Sequence, residues 1–142
     1  MNPADTPNKQ EKIIRDMISL FEESEFSRLL GMHIIEAWDG YAKVSMDCAG
    51  KGNDHNSVHG GAIFSLADQA FAIASNSSGI PHVAVSVSIQ YIAPAKGPLV
   101  AVAKRIAKSA DTDIFRVRIY EKEKIVATFD GTAFCTRSTG ST

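Results

Sequence analysis

The run Asn53-Asp54-His55-Asn56-Ser57-Val58-His59-Gly60-Gly61-Ala62-Ile63-Phe64-Ser65-Leu66-Ala67-Asp68 decides how the rest of the chain is read. Its first half is polar, its second half apolar, and a glycine pair stands at the join. Polar segments rich in Gly and Asn are loops, because these residues reach backbone conformations that helices and strands do not use. From Ala62 to Ser75, the residues Ile63, Phe64, Leu66, Ala67, Ala70, Phe71 and Ala74 cover most of a helix circumference. A helix that is apolar on more than one side needs cover on more than one side, so it is expected at the centre of the fold. Ser75-Asn76-Ser77-Ser78-Gly79, followed by Pro81, ends it.

Toward the N-terminus, residues 1–8 are polar and expected to fray. Gln10 to Leu30 turns helical, with Ile13, Ile14, Met17, Leu20 and Phe21 at three- and four-residue spacing; Glu25–Leu30 reads as a second short helix stopped by Gly31. His33–Trp38 and Tyr41–Cys48 flank Asp39-Gly40, a dipeptide favoured in type I′ turns, and predict a hairpin. Ala49–Val58 is a loop. Toward the C-terminus, Val83, Val85, Val87, Ile89 and Tyr91 alternate with Ser86, Ser88 and Gln90, the period of a strand. Pro94-Ala95-Lys96-Gly97-Pro98 breaks the chain, and strands are predicted at Leu99–Lys108, Ile114–Tyr120 and Ile125–Thr136. Residues 138–142 form a small polar tail. Strands that cluster rather than alternate with helices indicate an α+β fold with an antiparallel sheet wrapped around one central helix.

Length and composition exclude several classes. At 142 residues the chain makes one domain able to bury its own core, with 44% hydrophobic residues. A net charge of -1 gives no basic excess for nucleic acid or an anionic membrane. Cys48 and Cys135 are too few for a disulfide framework and fit a reducing cytoplasm. No apolar run is long enough for a transmembrane helix, and the first residues lack a basic segment followed by an apolar one, so no secretory signal is expected.

Chemistry concentrates at the loop-to-helix join. The first N–H groups of a helix lack intrahelical acceptors and sit at the positive end of its dipole, and the glycines Gly60 and Gly61 let a ligand come close. That geometry suits a carboxylate, a phosphate or an oxyanion formed during acyl transfer. Asp68 stands among Phe64, Leu66, Ala67, Ala70 and Phe71, on roughly the same helix face as Gly60 and Phe64. It reads either as a general base or nucleophile, or as a polar residue bonded to a nearby loop. His55 and His59 are four apart but lie in a loop without a third ligand, so no metal site is expected. No nucleophile elbow, P-loop or dinucleotide fingerprint occurs. Lys104, Arg105 and Lys108 read as a charged strand end that discourages aggregation.

The run from Asn53 to Phe71, with Asn76-Ser77-x-Gly79 and Tyr91-Ile92-x-Pro94-Ala95-x-x-Gly97, resembles the acyl-CoA thioesterases of the hotdog fold, in particular the phenylacetic acid degradation (PaaI-like) subgroup. The resemblance implies a hotdog domain over residues 31–137, preceded by an N-terminal extension and helix over residues 1–30. It implies subunits paired edge to edge, dimers assembling into tetramers, and active sites between subunits. In that pattern Asp68 is the acid that activates water or attacks the thioester carbonyl. The Gly60 N–H polarises that carbonyl, Asn53 positions the reacting groups and His59 supports the loop. Gly61, Phe64, Ser65, Phe71, Val85 and Ser86 are the expected substrate contacts. The expected reaction is hydrolysis of an aryl-acetyl or hydroxyaryl-acetyl CoA, without a cofactor, CoA being part of the substrate. Two other readings stay open: an acyl-CoA hydratase or dehydratase, and a non-catalytic acyl-CoA-binding hotdog protein. The face of Ser86, Ser88 and Gln90 reads equally as an interface or as a solvent face.

Overall fold

The computed structural model describes residues 8–136; the stretch before Asn8 and the tail over 138–142 lie outside the described residues. Helix α1 (Lys9–Glu23) starts where Asn8 and Glu11 cap each other reciprocally, the Asn8 side chain accepting the Glu11 N–H at 2.8 Å. Ser24 breaks the helix with extended backbone and caps α2 (Glu25–Leu29) through its hydroxyl. Gly31, at φ +64°, then turns the chain into β1 (Met32–Trp38).

β2 (Tyr41–Met46) returns antiparallel and ends two residues before the expected Cys48. At the turn only Gly40 has positive φ, so the type I′ turn expected at Asp39-Gly40, which needs positive φ at both residues, is not formed. Tertiary partners set this turn instead. The Gly40 N–H donates to the buried Ser77 hydroxyl at 2.8 Å, and Asp39 pairs with Arg105 at 3.0 Å.

The central helix α3 (Gly60–Asn76) begins two residues earlier than the apolar pattern predicts, because His59 caps it. The remaining strands are β3 (His82–Tyr91), β4 (Leu99–Lys108), β5 (Thr112–Glu121) and β6 (Lys124–Cys135). All pairings are antiparallel, and the sheet order is β1-β2-β4-β5-β6-β3. The architecture is the hotdog fold: a curved sheet around α3. Leu66, Ala67, Ala70, Ile73 and Ala74 of the helix are fully buried against the inner sides of the strands. Phe71 meets Phe115 and Phe129 at ring-centroid distances of 5.6 and 5.7 Å.

The two sheet edges differ. On β1, the Ile34 N–H donates to Glu22 of α1 at 2.9 Å. β3 is the other edge and no described residue covers it. Its residues are mostly exposed, Val85 by 59%. Register fixes its faces. Val87, Ile89 and Tyr91 stand opposite Gly131, Phe129 and Ala127 on the helix side, whereas Ser86, Ser88 and Gln90 stand opposite Thr132, Asp130 and Thr128 on the outer side. A bulge between Ala84 and Ser86 shifts the alternation, so Val83 lies opposite Phe134 and does not share a face with Val87. β4 is interior to the sheet, so Lys104 and Arg105 do not guard an edge as the sequence suggested. Arg105 instead reaches buried Asp113, Nε to Oδ2 3.2 Å, and clamps the end of the barrel remote from the glycine pair.

Candidate active site

The loop before α3 is tied down by its own backbone and by Asn53. The Asn53 side-chain oxygen accepts the N–H groups of His55 at 2.9 Å and Ser57 at 3.0 Å, and the Asn53 N–H donates to Ser57 O at 2.7 Å. Val58 N–H bonds Ala95 O, and His59 N–H bonds Lys51 O, both at 2.7 Å. The loop therefore delivers His59 to the helix start in a fixed pose.

His59 then satisfies three of the four first-turn donors. Its Nδ1 accepts the Gly61 N–H at 2.9 Å, and its carbonyl accepts those of Ala62 at 2.9 Å and Ile63 at 3.2 Å. The Gly60 N–H is the fourth and has no acceptor among the described residues. In this geometry neutral His59 carries its proton on Nε2.

Gly60 opens onto a cleft of about 550 Å³, lined also by Asn53, Val58, Ile63, Tyr91 and Pro94. Tyr91 closes one wall: its hydroxyl donates to Gly60 O at 3.1 Å, and a Cβ on residue 60 would lie 3.3 Å from its ring. Past Pro94, outside the cleft lining, the Glu121 carboxylate accepts the Lys96 and Gly97 N–H groups. Those two bonds keep its pKa below the usual carboxylate range.

Asp68 is half-buried on the partly exposed row Gly61-Ser65-Asp68-Ala72 of α3, with no hydrogen bond or ion pair among the described residues. Burial pushes its pKa above the ordinary aspartate value. It does not line the Gly60 cleft. Eight residues of helix separate it from Gly60, about 12 Å along the axis.

The other expected contacts divide. Gly61 and Ser65 line a second groove beside Phe26 and Leu30 of the N-terminal helices, and the Ser65 hydroxyl donates to Gly61 O at 2.8 Å. Phe64 packs edge-on against Phe129 at 5.7 Å. Phe71 is 1% exposed and wedged in the core, so the expectation that it touches substrate is corrected: its aromatic bulk fills the barrel. Val85 sits at the exposed bulge of β3 and Ser86 faces the outer side of the sheet, so neither lines the cleft of its own chain. Tyr91, which stands in the Tyr91-Ile92-x-Pro94 run of the resemblance but was given no role there, joins the cleft. Its signal was its place as the last apolar member of the β3 alternation, directly before the chain break.

Comparison with known proteins gives the family and the fold. The family model of the thioesterase superfamily matches residues 55–128. The acyl-coenzyme A thioesterase PaaI of Escherichia coli is 36% identical, over 80% of this chain and 84% of that one. The solved structure of the E. coli PaaI protein from the phenylacetic acid degradation operon superposes with a TM-score of 0.83 at 32% identity, covering 90% of this chain and 96% of that chain. A point mutant of the phenylacetic acid degradation protein PaaI from Thermus thermophilus superposes at 0.75 with 35% identity, covering 79% and 99%.

Proposed function

The chain belongs to the thioesterase superfamily, and from that premise we propose that it hydrolyses aryl-acetyl or hydroxyaryl-acetyl CoA thioesters at a site shared by two copies of the chain. The observation that carries the reading is the Gly60 N–H, without an acceptor among the described residues, at the mouth of an apolar cleft. A thioester carbonyl seated there accepts this hydrogen bond, which strengthens as the tetrahedral intermediate gathers charge on oxygen. Asp68, its pKa raised by burial, activates the attacking water as a base or attacks the carbonyl itself. Hydrolysis then releases the acid and the CoA thiol.

One chain does not bring these two groups together, because a carbonyl bonded to Gly60 lies far from an Asp68 about 12 Å further along the same helix. Pairing two copies along the open β3 edge solves this. Among the described residues the ladder of β3 is free on that side, and Val85, Val87 and Tyr91 leave apolar surface beside it. A two-fold axis near Phe64, midway between residues 60 and 68, sets Gly60 of each copy against Asp68 of the other. An aromatic acyl group suits the Tyr91, Ile63 and Val58 walls. We place this reaction in the cytoplasm, the compartment that a chain with only Cys48 and Cys135 fits.

Mixing two inactive variants tests the shared site. Asp68→Asn removes the acid. Gly60→Pro removes the N–H while respecting the backbone, since proline is favoured at the first helical position and His59 is already extended at φ -61°, ψ 136°. Each alone should release less than about 1% of the wild-type thiol from phenylacetyl-CoA. Refolded together in equal amounts, they form mixed dimers with one intact site and recover about a quarter of wild-type activity. Activity in Asp68→Asn alone would remove the acid from the mechanism. Two dead variants that stay dead when mixed would place the whole site in one chain.

A further inference from the structure

Between β3 and β4 the chain passes the rim of the Gly60 cleft as a strap, residues 92–98, that lies outside any strand. Ile92, Ala93 and Pro94 line the cleft. Pro94 and Pro98 bring no N–H, so the strap is tied at few points. At its start, the Ile92 and Ala93 N–H groups both donate to Val126 O, at 2.8 and 3.2 Å. In its middle, Ala95 is 1% exposed and its carbonyl accepts the Val58 N–H at 2.7 Å. At its end, the Lys96 and Gly97 N–H groups both donate to one carboxylate oxygen of Glu121, the last residue of β5. One oxygen that serves two N–H groups does so best when it is charged, and these bonds keep the carboxylate ionised. Gly97 fits the same contact, since a Cβ there would lie 3.3 Å from that oxygen. Glu123 of the same turn stays exposed and makes no hydrogen bond or ion pair among the described residues. Charge on the turn therefore does not by itself account for Glu121.

Resting on the hydrolase reading, we infer that Glu121 is a positioning residue: by holding the strap it fixes the Val58 and Pro94 walls of the cleft and so sets which acyl group the cleft accepts. Each link is a direct bond or a neighbouring residue. Glu121 holds Lys96 and Gly97, and the adjoining Ala95 holds Val58. Val58 leads into His59, which caps the helix that begins at Gly60. Val58 and Pro94 both line the cleft, so two of its walls depend on one side chain that lies outside it. Removing the carboxylate frees the strap between its bonds to Val126 and the start of β4 at Leu99. A wall that shifts slightly changes the fit of a bulky ring more than that of a slender chain. Gly60 and Asp68, the hydrolytic pair, stay in place, because Glu121 bonds neither.

Hydrolysis of phenylacetyl-CoA and of hexanoyl-CoA by wild type and Glu121→Ala tests the inference. The kcat/KM ratio of the aromatic ester to the straight-chain one should fall roughly tenfold in the variant. Equal losses on both esters would mark a merely structural role and overturn the inference. Gly97→Ala, which crowds the same carboxylate, should also lower the ratio, and adding it to Glu121→Ala should lower it no further. Losses that multiply would show that the two positions do not act through one contact, which sinks the proposed link. Amide hydrogen exchange separates the inference from the hydrolase reading. In Glu121→Ala the Val58 amide should exchange roughly tenfold faster, because its acceptor, Ala95 O, rides on the strap. Wild type that turns over neither ester would overturn the hydrolase reading alone. Val58 exchange as slow in the variant as in wild type would remove the positioning role in either case.

Discussion

The Tyr91 hydroxyl sits 3.1 Å from the carbonyl oxygen of Gly60, joining the end of the open edge strand to the first turn of the central helix. That bond links two parts of the chain thirty-one residues apart. It also explains the glycine: a side chain at residue 60 would press on the tyrosine ring that walls the cleft.

Gly60→Ala separates stability from activity. An alanine is favoured over glycine within a helix by up to about 1 kcal/mol, so the melting temperature should hold or rise. The new Cβ would lie 3.3 Å from the Tyr91 ring, and that exposed ring yields by swinging out of its seat. Thiol release should fall roughly tenfold. A variant with wild-type activity would show that the seat of Tyr91 does not shape the cleft.

Asp68→Asn should make the protein more stable as it makes it inactive. A half-buried aspartate with a raised pKa binds its proton more tightly folded than unfolded. Stability therefore falls as pH rises from the unfolded pKa through the folded one, and above that window the ionised carboxylate weighs against the fold. The asparagine variant should out-melt wild type near neutral pH, and the gain should shrink toward about pH 4, where the wild-type acid is protonated. For the wild type, the acid limb of kcat/KM should lie above the ordinary aspartate value of about 3.9. Equal melting curves at both pH values would contradict the cost of burying this charge.

Gly131→Ala tests the core. An added Cβ would lie 2.8 Å and 2.9 Å from two ring atoms of Phe71, which Phe115 and Phe129 hold in place. Overpacking of this kind costs about 1–3 kcal/mol, read as a lower urea midpoint. Adding Phe71→Leu makes room and should recover part of the loss. Additive losses would mean that the two positions do not press on each other.

Much of this molecule was legible in local pattern. The all-round apolar helix, the strand alternation and the Asn53–Asp68 run depend on periods of 3.6 and 2 and on the conformational habits of Gly and Asn, and these are properties of neighbouring residues. So was Asp68 as an acid in apolar company, whereas Gly60 as the donor came from the resemblance to a known family. Tertiary structure decided the rest. Sheet order put β3 at an open edge and β4 inside, which set the supposed edge guard Lys104 opposite Arg116 within the sheet. The bulge at Val85 and the pairing with β6 chose which side Ser86 faces. Packing consumed Phe71, and a contact between residues distant in sequence made Tyr91 part of the site. Strand order and burial depend on which elements meet across the whole fold, and residues that meet that way leave no fixed spacing in the chain for a local reading to find.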